Sequence, residues 1–152
     1  MATVQTNRRE AELYEDIYKN LKMGASSTVD LMNKLSDGDL KTELGRELAE
    51  YESLAREAGD ALRAMGEEPK EEKLMARMSA KAGVMMNTMI DSTPSHIAEM
   101  VIEGCAMGTS DLIKQINACE REGGEEMSKA KKLAERAVRF EEDCAEKMKA
   151  YL

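Results

Sequence analysis

The sequence predicts an all-α protein, a bundle of four long helices built as two similar hairpins. Three observations carry this expectation. First, a pattern repeats: Glu15, seven residues, then Met23-Gly24-Ala25-Ser26 recurs as Glu99, seven residues, then Met107-Gly108-Thr109-Ser110. The character of the flanks repeats too, in Leu13/Ile97, Ile17/Val101, Val29/Ile113, Met32/Ile116 and Asn33/Asn117. Second, apolar residues keep helical spacing over long stretches. Third, two prolines and 34% charged residues suit a helical chain with solvated outer faces. Two like hairpins must bury their apolar faces against each other, which gives a four-helix bundle with internal pseudo-twofold symmetry.

Helix A is expected over 9–35, after a flexible N-terminus at 1–8. Its stripe is Leu13, Ile17, Leu21, Gly24, Thr28, Leu31 and Leu35. Ser36-Asp37-Gly38-Asp39 breaks it, with Gly38 ending one helix and an aspartate capping the next. Helix B follows over 39–65, with Leu40, Leu44, Glu47/Leu48, Tyr51, Leu54/Ala55, Ala58 and Leu62 on one face. Gly66 to Pro69 stops it. A connector helix is expected over 70–91, striped by Leu74/Met75, Met78, Ala82, Met85 and Met89. Thr93 caps helix C, with Pro94 at its first position, and helix C covers 94–118. Gly123-Gly124 is a hairpin turn, and helix D covers 125–152 with Met127, Ala130, Leu133/Ala134, Ala137, Phe140, Cys144, Met148 and Tyr151 inward. The connector is long enough to travel roughly 30 Å at 1.5 Å per residue. It therefore returns the chain along the bundle, and the helices run up, down, down, up.

A single domain of 152 residues is long enough to bury a sizeable core. Aromatics are scarce and Trp is absent, so aliphatic residues and Met fill the interior. The net charge of −8 argues against nucleic acid and anionic membranes as partners. No apolar run approaches the length of a membrane span. Met1 to Glu10 is polar, with Arg8-Arg9 and no following apolar stretch, so no secretory signal is expected. Cys105, Cys119 and Cys144 form no Cys-x-x-Cys pair and fit reduced thiols in a cytoplasmic protein.

Carried by Leu13 to Leu35, Met85 to Asn117 and the two downstream helices, the chain resembles the ferritin-like superfamily. It resembles in particular its uncharacterised bacterial bundles of similar size. The resemblance implies two antiparallel helix pairs joined by a long crossover. It also implies a di-iron site made from a Glu on each of two helices and a Glu-x-x-His on each of the other two. That signature is absent. Helix B offers Glu47-x-x-Glu50, helix D offers Glu141-x-x-Cys144, and the chain holds one histidine.

Four further expectations concern sites. Glu15 and Glu99 would lie roughly 25 Å apart along the bundle, at 1.5 Å per residue, and so serve as surface acids. Gly24 and Gly108 sit near the pseudo-twofold axis, where Tyr51 and Phe140 are expected to pack over them; Gly104-x-x-x-Gly108 permits a close helix approach. Glu47 and Glu50 on helix B fall level with Arg136 and Arg139 on helix D, and a Glu–Arg ion-pair layer is one reading of that register. Solvent-facing arginines with Glu47 at the rim are the other. His96-x-x-Glu99 supplies only two ligands, too few for a specific metal site. The methionine-rich connector suits core filling or a homodimer contact, with copper binding a remote third use.

Two functions follow. The first is a non-catalytic bundle acting through self-association, as a homodimer or higher homo-oligomer, or through an unidentified protein partner, with no cofactor. The second is a metal or redox protein holding iron or manganese at an atypical site drawn from Glu47, Glu50, Glu103 and Glu141, with Cys144 as a further candidate.

Overall fold

The computed structural model describes residues 2–71, 91–122 and 128–152. Among these residues the chain forms four α-helices and no strand. They are α1 (Ala2–Met32), α2 (Asp39–Ala64), α3 (Pro94–Arg121) and α4 (Ser128–Met148), and a 3-10 turn at Lys149–Tyr151 closes the chain. No described helix is long and apolar enough to cross a membrane. Most of the connector expected over 70–91, and the Gly123-Gly124 turn, lie outside the described residues.

The helix ends follow local chemistry. α1 begins at Ala2 instead of residue 9, so the expected flexible N-terminus is helical from its second residue. No Gly or Pro interrupts this stretch, and Arg8 pairs with Glu12 one turn on, at 3.3 Å. At its other end α1 stops at Met32, three residues early. Lys34 and Leu35 donate to the carbonyls three residues back, which tightens the last turn. No aspartate caps α2. Gly38 holds the cap position without a side-chain bond, and Asp39 sits in the first turn, where the helix dipole favours an acid. Gly66, at φ +80°, ends α2 in the left-handed region. Its N–H bonds the Arg63 carbonyl at 3.0 Å and that of Glu67 bonds Leu62 at 3.0 Å, a pairing that a side chain at Gly66 would strain. Thr93 accepts the His96 N–H at 3.3 Å, and Pro94 occupies the first turn of α3.

Cross-helix pairs fix the directions. Arg9 bridges Glu122 at 3.2 Å and Asn20 donates to the Gly108 carbonyl at 3.0 Å, so α1 and α3 are antiparallel. Tyr18 lies against Gly59 and Tyr51 against Gly24, so α1 and α2 are antiparallel. Lys131 bridges Glu120 at 2.7 Å and Glu141 abuts Gly108, so α3 and α4 are antiparallel too. Arg136 bridges Glu57 at 2.6 Å and Lys147 bridges Glu43 at 3.6 Å, which sets α4 antiparallel to α2.

The interior divides into two apolar clusters. The larger joins Leu13, Ile17, Leu21, Tyr51, Leu54 and Leu62 to Leu112, Ile116, Leu133 and Ala137. The smaller joins Leu31, Leu40, Leu44, Ile97, Ala98 and Met148 at the other end. Glu47, Glu141, Thr28, Cys105 and Cys144 are buried but belong to neither cluster. Their sequence positions fall between those of the two clusters, so polar groups interrupt the core near its middle.

Candidate functional site

Gly24 belongs to α1 and makes room for the Tyr51 ring of α2; Gly108 belongs to α3 and makes room for the Glu141 carboxyl of α4. Between α1 and α3 runs a groove of about 770 Å³, lined from α1 by Asp16, Lys19, Asn20, Met23 and Leu31 among others. From α3 come Met100, Val101, Glu103, Gly104, Cys105, Met107, Asp111 and Leu112, and Tyr51 and Glu141 close it from behind.

Glu141 is 2% exposed. The Tyr51 hydroxyl donates to its Oε1 at 3.1 Å, while its Oε2 is buried with no hydrogen-bond partner. Loss of water on burial pushes the Glu141 carboxyl up to about 8; Asp111 adds to the rise and the tyrosine opposes it. The same burial, with the Glu141 charge beside it, pushes the Tyr51 phenol up. Asn20 repeats the imbalance on the opposite wall. Its Nδ2 serves the Gly108 carbonyl, and its Oδ1 is buried without a partner.

Glu47 is the second buried acid, 4% exposed, with Oε1 unpartnered. Burial raises its carboxyl to about 7, Glu43 adds to this, and the Cys144 thiol and Lys147 pull it back. Cys144 in turn neighbours Cys105, and these hydrogen bonds together with burial raise the Cys144 thiol.

These positions revise several expectations. Tyr51 does pack over Gly24, since its ring occupies the space a Cβ there would need. Phe140 meets Tyr51 edge to face, with centroids 4.7 Å apart. Gly108, however, is covered by the Glu141 carboxyl and not by Phe140. Gly104 has nothing within 4 Å of an added Cβ and borders the groove, so of Gly104-x-x-x-Gly108 only Gly108 lies in a helix contact. The Glu–Arg layer does not form among the described residues. Arg136 bridges Glu57, a residue outside the expected set, because the B–D register places Glu57 level with it on the solvent side. Glu50 and Arg139 are both exposed.

The metal candidates are also split. Glu47 and Glu141 are interior, whereas Glu50 and Glu103 are exposed. No group of three His, Cys, Asp or Glu side chains among the described residues is placed to hold a metal ion. His96 and Glu99 meet at 3.4 Å on the surface of α3 as a pair only. Glu15 accepts the Lys70 N–H at 3.0 Å.

Sequence reasoning missed Asn20, because a polar residue beside an apolar stripe is ordinary on a helix. It also missed the Glu141–Gly108 contact, although a carboxylate level with a glycine on the next helix was a usable signal. No protein-family profile matches the chain, and neither the curated proteins nor the solved structures hold a match to it.

Proposed function

We propose that the protein is a non-catalytic ferritin-like bundle that works by binding, and that the groove between α1 and α3 is its binding surface. The observation that carries this reading is the buried Glu141 carboxyl behind the groove, with one oxygen unpartnered. An unsatisfied buried acceptor beside a recess of ligand size points to a binding site. The ferritin-like arrangement is supported by the helix directions and by the two ends of the crossover. Lys70, beyond α2, bonds Glu15 in the first half of α1, and α3 begins beside Leu35 past the other end of α1, so α2 ends and α3 begins at opposite ends of the bundle. Free thiols at Cys105, Cys119 and Cys144 support a reducing, cytoplasmic setting. The metal reading has no gathered ligand set among the described residues to support it.

The test is a titration of the protein with a panel of small apolar alcohols, amines and acids, followed by amide chemical shifts. Shifts are expected at Gly24, Gly104 and Gly108, and Gly104→Phe, which fills open space, should abolish them. Shifts elsewhere, or none, would overturn the reading.

Self-association is a second reading. Met107 is 64% exposed on α3, with Ile113 on the same helix and Val29 on α1 also exposed. Sedimentation showing a dimer that Met107→Lys dissociates would place the binding surface between copies of the chain.

A further inference from the structure

The groove has an acidic rim and apolar walls. Asp16, Asp30, Glu103 and Asp111 outnumber Lys19 and Lys114 along it, before Glu141 is counted. Met23, Leu31, Met100, Val101, Met107 and Leu112 supply its apolar walls, with neutral polar residues such as Ser27, Thr28 and Gln115 among them. A hydrocarbon body therefore fits the walls, and positive charge suits the rim.

The two unpartnered acceptors sharpen this. Asn20 Oδ1 and Glu141 Oε2 belong to side chains that both touch Gly108, one at its carbonyl and one against its Cα. Both need donors. An alcohol brings one O–H, and a carboxylate or phosphate brings acceptors and the wrong charge. A primary ammonium brings three N–H donors and a positive charge on one small group.

We propose that the groove binds an apolar primary amine, its ammonium seated at Gly108 between Asn20 Oδ1 and Glu141 Oε2 and its hydrocarbon body along Met23, Met100, Met107 and Leu112. This rests on the groove being the binding surface and names the chemistry of what it takes.

Ammonium binding requires an ionised Glu141. Tyr51 from α2 bonds Glu141 and Asp111 from α3 acts on it; Asp16, Lys19 and Asp30 on α1 and Glu103 and Lys114 on α3 are the other charges that line the groove. None is a cation buried against it, so the carboxyl holds its proton until the amine displaces it. Binding thus releases a proton below about pH 8. Affinity should fall about tenfold per unit as pH drops from 8 to 6, because the amine stays charged throughout while the carboxylate fraction shrinks.

The experiment uses the full chain with octylamine, octan-1-ol and octanoate below their micellar concentrations, read by calorimetry and by the Gly24, Gly104 and Gly108 amides. Octylamine should bind at least tenfold more tightly than octanol at pH 8, with octanoate weakest. Glu141→Gln should erase the preference for the amine over octanol and the pH dependence of amine binding. Asn20→Ala, which leaves Glu141 in place, should reduce the preference for the amine over octanol and serves if the first variant does not fold. Equal affinity for amine and alcohol, or an amine affinity that neither variant changes, would overturn the amine inference and leave groove binding intact. No glycine shift with any of the three would remove both.

Discussion

Gly108 on α3 and Glu141 on α4 are in direct contact: a Cβ added at Gly108 would lie 2.5 Å from Glu141 Oε1 and 2.7 Å from Oε2. A buried carboxyl occupies the space of a missing side chain. Gly108→Ala should therefore displace Glu141 and cost about 1–3 kcal/mol, the usual penalty of overpacking. Gly104→Ala, one turn away with open space before it, should gain up to about 1 kcal/mol from helix propensity. Urea midpoints for the two variants should move in opposite directions. Equal movement would show that the Glu141 position does not depend on Gly108.

Stability should fall as pH rises. Glu47 and Glu141 bind their protons more tightly in the folded chain, at about 7 and about 8, than a free carboxyl near 4.5. Their contribution is complete below about pH 4.5 and is lost as pH climbs through 7 and 8. At about 1.4 kcal/mol per pKa unit the two together are worth several kcal/mol. Thermal melts at pH 5.5 and 8.5 should show the higher midpoint at 5.5, and the Glu47→Gln, Glu141→Gln double variant should flatten the difference.

Tyr51→Phe keeps the ring over Gly24 and removes the hydroxyl that serves Glu141 Oε1. Leaving that oxygen unpartnered should cost about 1–3 kcal/mol. The hydroxyl also holds the Glu141 carboxyl down, so its loss should raise the pKa further, which a carboxyl carbon titration by NMR would read directly.

The Arg136–Glu57 bridge is short, 2.6 Å, but both side chains are about half exposed. An exposed pair contributes little, so a double-mutant cycle with alanine at both positions should give a coupling of no more than about 1 kcal/mol. A larger value would mean that the α2–α4 seam depends on this pair.

The three thiols should react unequally. Cys119 is only partly buried, whereas Cys105 and Cys144 are interior. Under native conditions a thiol reagent should label Cys119 first, even though burial raises its thiol somewhat. The other two should follow only when the bundle opens.

Helix periodicity alone was enough to place α2, whose expected span of 39–65 differs by one residue from Asp39–Ala64. The Thr93-Pro94 pair likewise marked the start of α3, because capping and proline geometry act within one turn. The start of α1 was not legible. A polar stretch without an apolar stripe reads as a tail, yet with no Gly or Pro to break it, even residues of modest helix propensity such as Thr3, Val4 and Asn7 extend a helix already nucleated downstream.

The site divides along the same line. Periodicity identified Glu47 and Tyr51 as residues on an apolar face, and the repeat drew attention to Gly24 and Gly108. It could not say which side chain would fill each gap. Phe140 and Glu141 are adjacent in sequence and some 100° apart around the helix, so a modest rotation of α4 decides which of them reaches Gly108. Local sequence thus determined the helices, their stripes and their caps, since these depend on neighbours a few residues away. Only the tertiary packing placed Glu141 on Gly108, paired Arg136 with Glu57 and left Asn20 facing the groove. Those outcomes depend on the rotation and depth at which one helix settles against another, and side chains from all four helices set these together.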